Sequence, residues 1–91
     1  MREIPPEQSL IEYPSAFPIK VMGENTPGFT DAVLHVVRRF DPSYDAATLE
    51  SRASRGGNYL SLTVTVTVTS REQLDELYRT LSTHPLVKVV L

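Results

Sequence analysis

Cysteine is absent from the 91 residues, so disulfides, thiolate metal sites and a cysteine nucleophile are all excluded. That absence is compatible with a reducing compartment. Only two histidines are present. A metal centre needs several His, Cys or carboxylate ligands at compatible spacing. His35 falls on the polar side of a helical pattern and His84 stands directly before Pro85, neither with a visible second ligand, so no metal and no cofactor are expected. Positive charge is not in excess either. Nine Lys and Arg against eleven Asp and Glu leave a net charge of -2, which argues against a phosphate backbone or an anionic membrane as partner. No long apolar run exists: Met1 to Leu10 holds Glu3, Pro5, Pro6 and Glu7, neither a signal peptide nor a membrane span. Cytoplasmic location is the expectation.

What is present is the composition of an ordinary globule, 41% hydrophobic and 22% charged, so most of the chain should fold. A chain this short buries about 60 to 65% of its unfolded surface. That is enough for one core and too little for a deep, enclosed active site, so the expectation is one domain and no enzyme.

Pro5, Pro6 and Pro14 among scattered polar residues make residues 1–16 an extended arm, followed by one domain over 17–91. Phe17 to Met22 alternates Phe17, Ile19 and Val21 against Pro18, Lys20 and Met22, as a half-buried strand does. Thr26 reads as an N-cap and Pro27 as a first-turn residue, with Phe29, Val33, Val36, Val37 and Phe40 at helical spacing up to a stop at Asp41 and Pro42. Thr48 to Ser54 is read as a short strand, ending in the turn-rich Arg55, Gly56, Gly57 and Asn58.

From Tyr59 to Thr69 the alternation is regular. Leu60, Leu62, Val64, Val66 and Val68 point one way; Tyr59, Ser61, Thr63, Thr65, Thr67 and Thr69 point the other. Ser70 with Gln73 makes a capping box, and Leu74, Leu77, Tyr78 and Leu81 form one helical stripe ending near His84 and Pro85. In the closing run Leu86 to Leu91, Val87, Val89 and Leu91 mix with Lys88 as a last strand. Strand, helix, strand, strand, helix, strand is the order of an α+β ferredoxin-like sandwich, a four-stranded antiparallel sheet with both helices on one face. The open face should then carry Lys20, Met22, Glu50, Arg52, Tyr59, Ser61, Thr63, Thr65 and Lys88.

Several sharper readings compete with bland ones. Glu72, Asp75, Glu76 and Arg79 lie off the apolar stripe, with Asp75 and Arg79 spaced for an i,i+4 pair; a solvated helix face accounts for them, since no pocket separates their pKa values as acid–base chemistry needs. Arg55 to Tyr59 leads into a strand rather than a helix, so it is a hairpin turn and not a phosphate cradle. The same topology serves RNA-recognition motifs, which stack bases on strand aromatics. Here only Tyr59 is so placed, Gly57 and Lys20 standing where others would be, which argues against RNA.

The loop Gly23 to Phe29 resembles that of ACT domains, amino-acid-binding regulatory modules. The resemblance implies a small-molecule ligand at Asn25, Thr26 and Gly28, although capping accounts for the same residues. The chain as a whole, from about Leu10 to Leu91, resembles the YbeD-like family of small bacterial proteins with a ferredoxin-like, ACT-like fold. The resemblance is carried by LIEYP (Leu10 to Pro14), Phe17, KVMG (Lys20 to Gly23), SRGGNYLS (Ser54 to Ser61) and VVL (Val89 to Leu91). It implies architecture and cytoplasmic location, and no catalytic residue, cofactor or agreed binding site. The functional expectation is a non-enzymatic regulatory or adaptor domain that contacts a protein partner through Lys20, Arg52, Tyr59 and Lys88 on the open face, or through a strand edge. Exposed edges also make a homodimer an expectation. The alternative is an ACT-like amino-acid sensor.

Overall fold

The computed structural model describes residues 12–91. In chain order they form β1 (Ser15–Glu24), α1 (Phe29–Phe40), a 3-10 turn (Ala46–Thr48), β2 (Glu50–Ala53), β3 (Tyr59–Val68), α2 (Arg71–Ser82) and β4 (Val87–Val90). The strands make one antiparallel sheet in the order β2-β3-β1-β4. This is the ferredoxin-like arrangement anticipated from the alternation of period-two and period-3.6 segments. Residues 1–11 of the expected arm lie outside the described residues, while Ser15 and Ala16 already belong to β1.

Two period-two sequences make the centre of the sheet. β1 and β3 pair over their full length, from Ser15 opposite Val68 to Glu24 opposite Tyr59. Side chains alternate faces along a strand, so this register sets Ile19 beside Val64 and Val21 beside Leu62, all four wholly buried. Phe29, Val33, Val36 and Val37 of α1 and Leu77 and Leu81 of α2 close the core from above. Each such side chain contributes about 1.5–3 kcal/mol by leaving water. A one-residue slip would turn the whole set to solvent.

Gly23 is fixed by packing rather than by its backbone angles. A Cβ there would collide with the Leu86 carbonyl oxygen and the Phe29 ring. The glycine of KVMG therefore lets the end of β1, the start of α1 and the segment before β4 meet.

Four local readings are corrected. Thr26 is not the N-cap: α1 starts at Phe29 with Gly28 as cap and no side-chain cap bond. The Thr26 carbonyl accepts from Phe29 N–H at 3.2 Å, because Pro27 and Gly28 form a turn ahead of the helix. The strand expected from Thr48 begins at Glu50, since Asp45 accepts from Ala47 N–H and winds Ala46–Thr48 into the 3-10 turn. In α2, Ser70 Oγ accepts from Gln73 N–H at 3.1 Å, but Gln73 Oε1 reaches one residue further back, to Thr69 N–H at 2.7 Å. Asp75 and Arg79 do not pair. Arg79 takes the longer Glu76 side chain, and Asp75 lies 4.0 Å from Arg71 one turn earlier.

Asp41 does more than stop a helix. It is 8% exposed; Oδ1 accepts from Ser43 N–H at 3.2 Å and Ser43 Oγ at 2.6 Å, and Oδ2 accepts from Thr67 N–H at 3.1 Å. One carboxylate thus ties the end of α1 to β3. Burial pushes its pKa up, but the bonds from the Ser43 hydroxyl and the Thr67 and Ser43 amides outweigh this and hold it below the ordinary carboxylate value. A depressed pKa contributes stability that is complete above the ordinary carboxylate range and is lost as pH falls through the depressed value. Asp41→Asn should therefore cost about 1–3 kcal/mol at pH 7. The gap to wild type should narrow below about pH 4. Urea unfolding at pH 7 and pH 3 measures both; an equal gap at the two pH values contradicts the charge-assisted account.

Candidate functional site

The helices cover one face of the sheet and leave the other open. Its composition follows from the pairings. β1 contributes Lys20, Met22 and Glu24; opposite them on β3 stand Thr63, Ser61 and Tyr59; on β2, Glu50 and Arg52 face Thr63 and Ser61.

On β4 the sequence reading needs correction. Val21 pairs with Val90 and Met22 with Val89, but Gly23 pairs with Val87, so a bulge between Met22 and Gly23 leaves Lys88 as the extra residue. The bulge reverses the phase of the strand. Val87 and Val90 pack on the core, while Val89, beside Met22, lies on the open face with 42% of its surface exposed. Beyond it, Leu91 and Lys20 exchange both backbone bonds, Leu91 N–H to Lys20 O at 2.8 Å and Lys20 N–H to Leu91 O at 3.1 Å. Residues so paired project from the same face, and Leu91 is 65% exposed.

The open face therefore carries Val89 and Leu91, which alternation set on the other side of β4, in addition to Met22 and Tyr59. A shallow groove of about 320 Å³ brings together Met22, Tyr59, Leu60 and Leu91 with Lys20 and Arg52 at its rim. A polar depression of about 340 Å³ continues from it past Lys20 and Arg52 to Glu50, Ser61 and Thr63. Three of the four expected partner residues, Lys20, Arg52 and Tyr59, thus line one groove. Lys88 does not join them: its Nζ lies 3.7 Å from Glu24 Oε2, and it lines a separate hollow with Thr26, Pro85 and Leu86. The adjacent apolar pair Val89–Val90 in an otherwise alternating strand was the signal that a face switch occurs.

Of the expected ligand loop, Asn25 and Thr26 line a hollow of about 440 Å³ with Glu24, Gly57, Asn58 and Tyr59, whereas Gly28 is the helix cap outside it. Asn25 is already engaged. Its N–H donates to Asn58 O at 2.9 Å and its side-chain amide to Gly57 O at 3.1 Å, locking the β1–α1 loop onto the β2–β3 hairpin, where Gly57 holds a left-handed φ of 78°.

Among the described residues, no three His, Asp or Glu side chains stand close enough to hold a metal ion. No helix among them is long and apolar enough to cross a membrane. His84 Nδ1 accepts from Leu86 N–H at 3.1 Å, a local bond that shapes the turn into β4.

The fold belongs with ACT-like ferredoxin sandwiches. The ACT domain of a GTP pyrophosphokinase from Chlorobium tepidum superposes with a TM-score of 0.65 at 21% identity, over 84% of this chain and 94% of that one. A protein of H. pylori solved in solution superposes with a TM-score of 0.68 at 17% identity, over 100% and 96%. At such identities the likeness is one of fold. The chain belongs to the family described as "Protein of unknown function (DUF493)", whose model matches residues 8–91. A UPF0250 protein of Leptothrix cholodnii is 63% identical over 91 residues, and one of Bordetella pertussis 62% identical over 91 residues, each covering all of both chains.

Proposed function

We propose that this chain is a non-enzymatic regulatory or adaptor domain of the bacterial cytoplasm that holds a partner protein against its open sheet face. The observation that carries the reading is the groove in which Met22, Tyr59 and Leu91 form an apolar floor between Lys20 and Arg52. An aromatic and two aliphatic side chains rimmed by cations are what a protein contact needs: anchors that gain by desolvation, and charges that select an acidic neighbour. A groove this open does not enclose a substrate from water, as catalysis by buried charge requires.

The test is affinity capture from native lysate with wild type and with a Tyr59→Ala, Lys20→Glu double variant. Partners recovered by wild type should be lost from the variant while circular dichroism stays unchanged. Recovery of every partner by both removes the open-face reading.

A second reading rests on the hollow at Asn25 and Thr26 beside the start of α1: a small amino-acid ligand bound in the manner of ACT regulatory modules. A thermal-shift screen of amino acids should raise the melting temperature, with NMR shifts centred on Asn25, Thr26 and Asn58. No shift with any of them, or shifts confined to other surfaces, eliminates this alternative.

A further inference from the structure

β2 is the outer strand on one side of the sheet, and all four of its residues are exposed. Its pairing with β3 uses only half of its backbone groups. Ser54 N–H donates to the Tyr59 carbonyl at 2.8 Å. By the alternation of antiparallel ladders, Arg52 with Ser61 and Glu50 with Thr63 are the other bonded pairs. The N–H and C=O groups of Ser51 and Ala53 consequently point outward, away from β3. Among the described residues no other strand pairs with this row, and an unpaired row of this kind is a template for another strand.

Charge determines which strand fits. Glu50 and Arg52 project from the same face of β2, and neither belongs to an ion pair among the described residues. Consider a second β2 laid antiparallel against the first. Centring the pair on Arg52 sets Arg52 opposite the partner's Arg52, and centring on Glu50 sets two carboxylates opposite each other; like charges so placed destabilise a sheet. Centring on Ala53 puts Arg52 opposite the partner's Ser54 and Glu50 opposite the partner's Gly56, leaving both charges unmatched. Centring on Ser51 sets each Glu50 directly opposite the partner's Arg52, twice over. It also brings the outward amide and carbonyl of Ser51 against the same groups of the partner's Ser51, as a bonded pair requires.

We propose that two copies of the chain associate through their β2 edges, antiparallel and in the register centred on Ser51, joining their sheets into one. The contact is short, and interfaces below roughly 1,200 Å² form weak, transient complexes. Association should therefore depend on concentration in the micromolar range or above. The open-face reading does not depend on this contact, because the apolar floor of the groove lies on β1, β3 and Leu91.

The chain has no cysteine, so single cysteines introduced along β2 report the register directly. Cα atoms of a bonded antiparallel pair lie about 5.5 Å apart, within the roughly 4.4–6.8 Å span of a disulfide. Under mild oxidation, Ser51→Cys should form a disulfide dimer at least ten times faster than Arg52→Cys or Ala53→Cys. Sedimentation equilibrium should show that Glu50→Arg and Arg52→Glu each lower the dimer fraction several-fold, and that mixing the two variants restores it. Cross-linking at position 52 or 53 as fast as at 51, a monomer at every concentration up to about 1 mM, or a mixture that stays monomeric would each overturn the proposal.

Discussion

Everything in this fold depends on the register between β1 and β3. Each has an apolar set on one face only, and the pairing aligns the two sets so that Ile19, Val21, Leu62, Val64, Val66 and Val68 share the buried side. The two helices have apolar stripes that only this surface can cover. α1 brings Phe29, Val33 and Val37, and α2 brings Leu77 and Leu81. Polar anchors then fix the helices in place. Asp41 clamps the end of α1 to Thr67, and Gln73 Nε2 donates to the Phe40 carbonyl at 3.3 Å, binding the start of α2 to the end of α1.

The same register leaves the opposite face open, and a second constraint decides what that face contains. At Gly23 the backbone of β1 lies so close to the Leu86 carbonyl that no Cβ fits. There the pairing with β4 gains one residue, and Lys88 becomes the bulge. The consequence is chemical. A face on which alternation alone sets Met22 and Tyr59 among polar side chains acquires Val89 and Leu91 beside them. A solvated Thr and Ser surface becomes an apolar groove with Lys20 and Arg52 on its rim. The single residue of the bulge thus adds two exposed aliphatic side chains to this face.

The strands and helices were legible because their signals are periodic and local. Val-Thr alternation over Tyr59–Val68 can satisfy only a half-buried strand, and the stripes of α1 and α2 only amphipathic helices. What was not legible depends on residues distant in sequence. Asp41 and Thr67 are 26 positions apart, so the helix stop at Asp41 gave no sign of a clasp. Thr26 has the chemistry of an N-cap, yet the turn at Pro27 and Gly28 moves the helix start past it. Lys88 fits the polar phase of β4 until the pairing with β1 is known. Lys20, Arg52 and Tyr59 were found from face alternation, whereas Val89 and Leu91 required the bulge.

The bulge turns Val89 outward and keeps Val90 on the core. Unfolding free energies of Val89→Ser and Val90→Ser in urea test it most directly. Val89→Ser should stay within about 0.5 kcal/mol of wild type, as exposed substitutions do. Val90→Ser should lose about 1–3 kcal/mol through a polar group placed against the core. Equal losses, or a larger loss at Val89, would contradict the account.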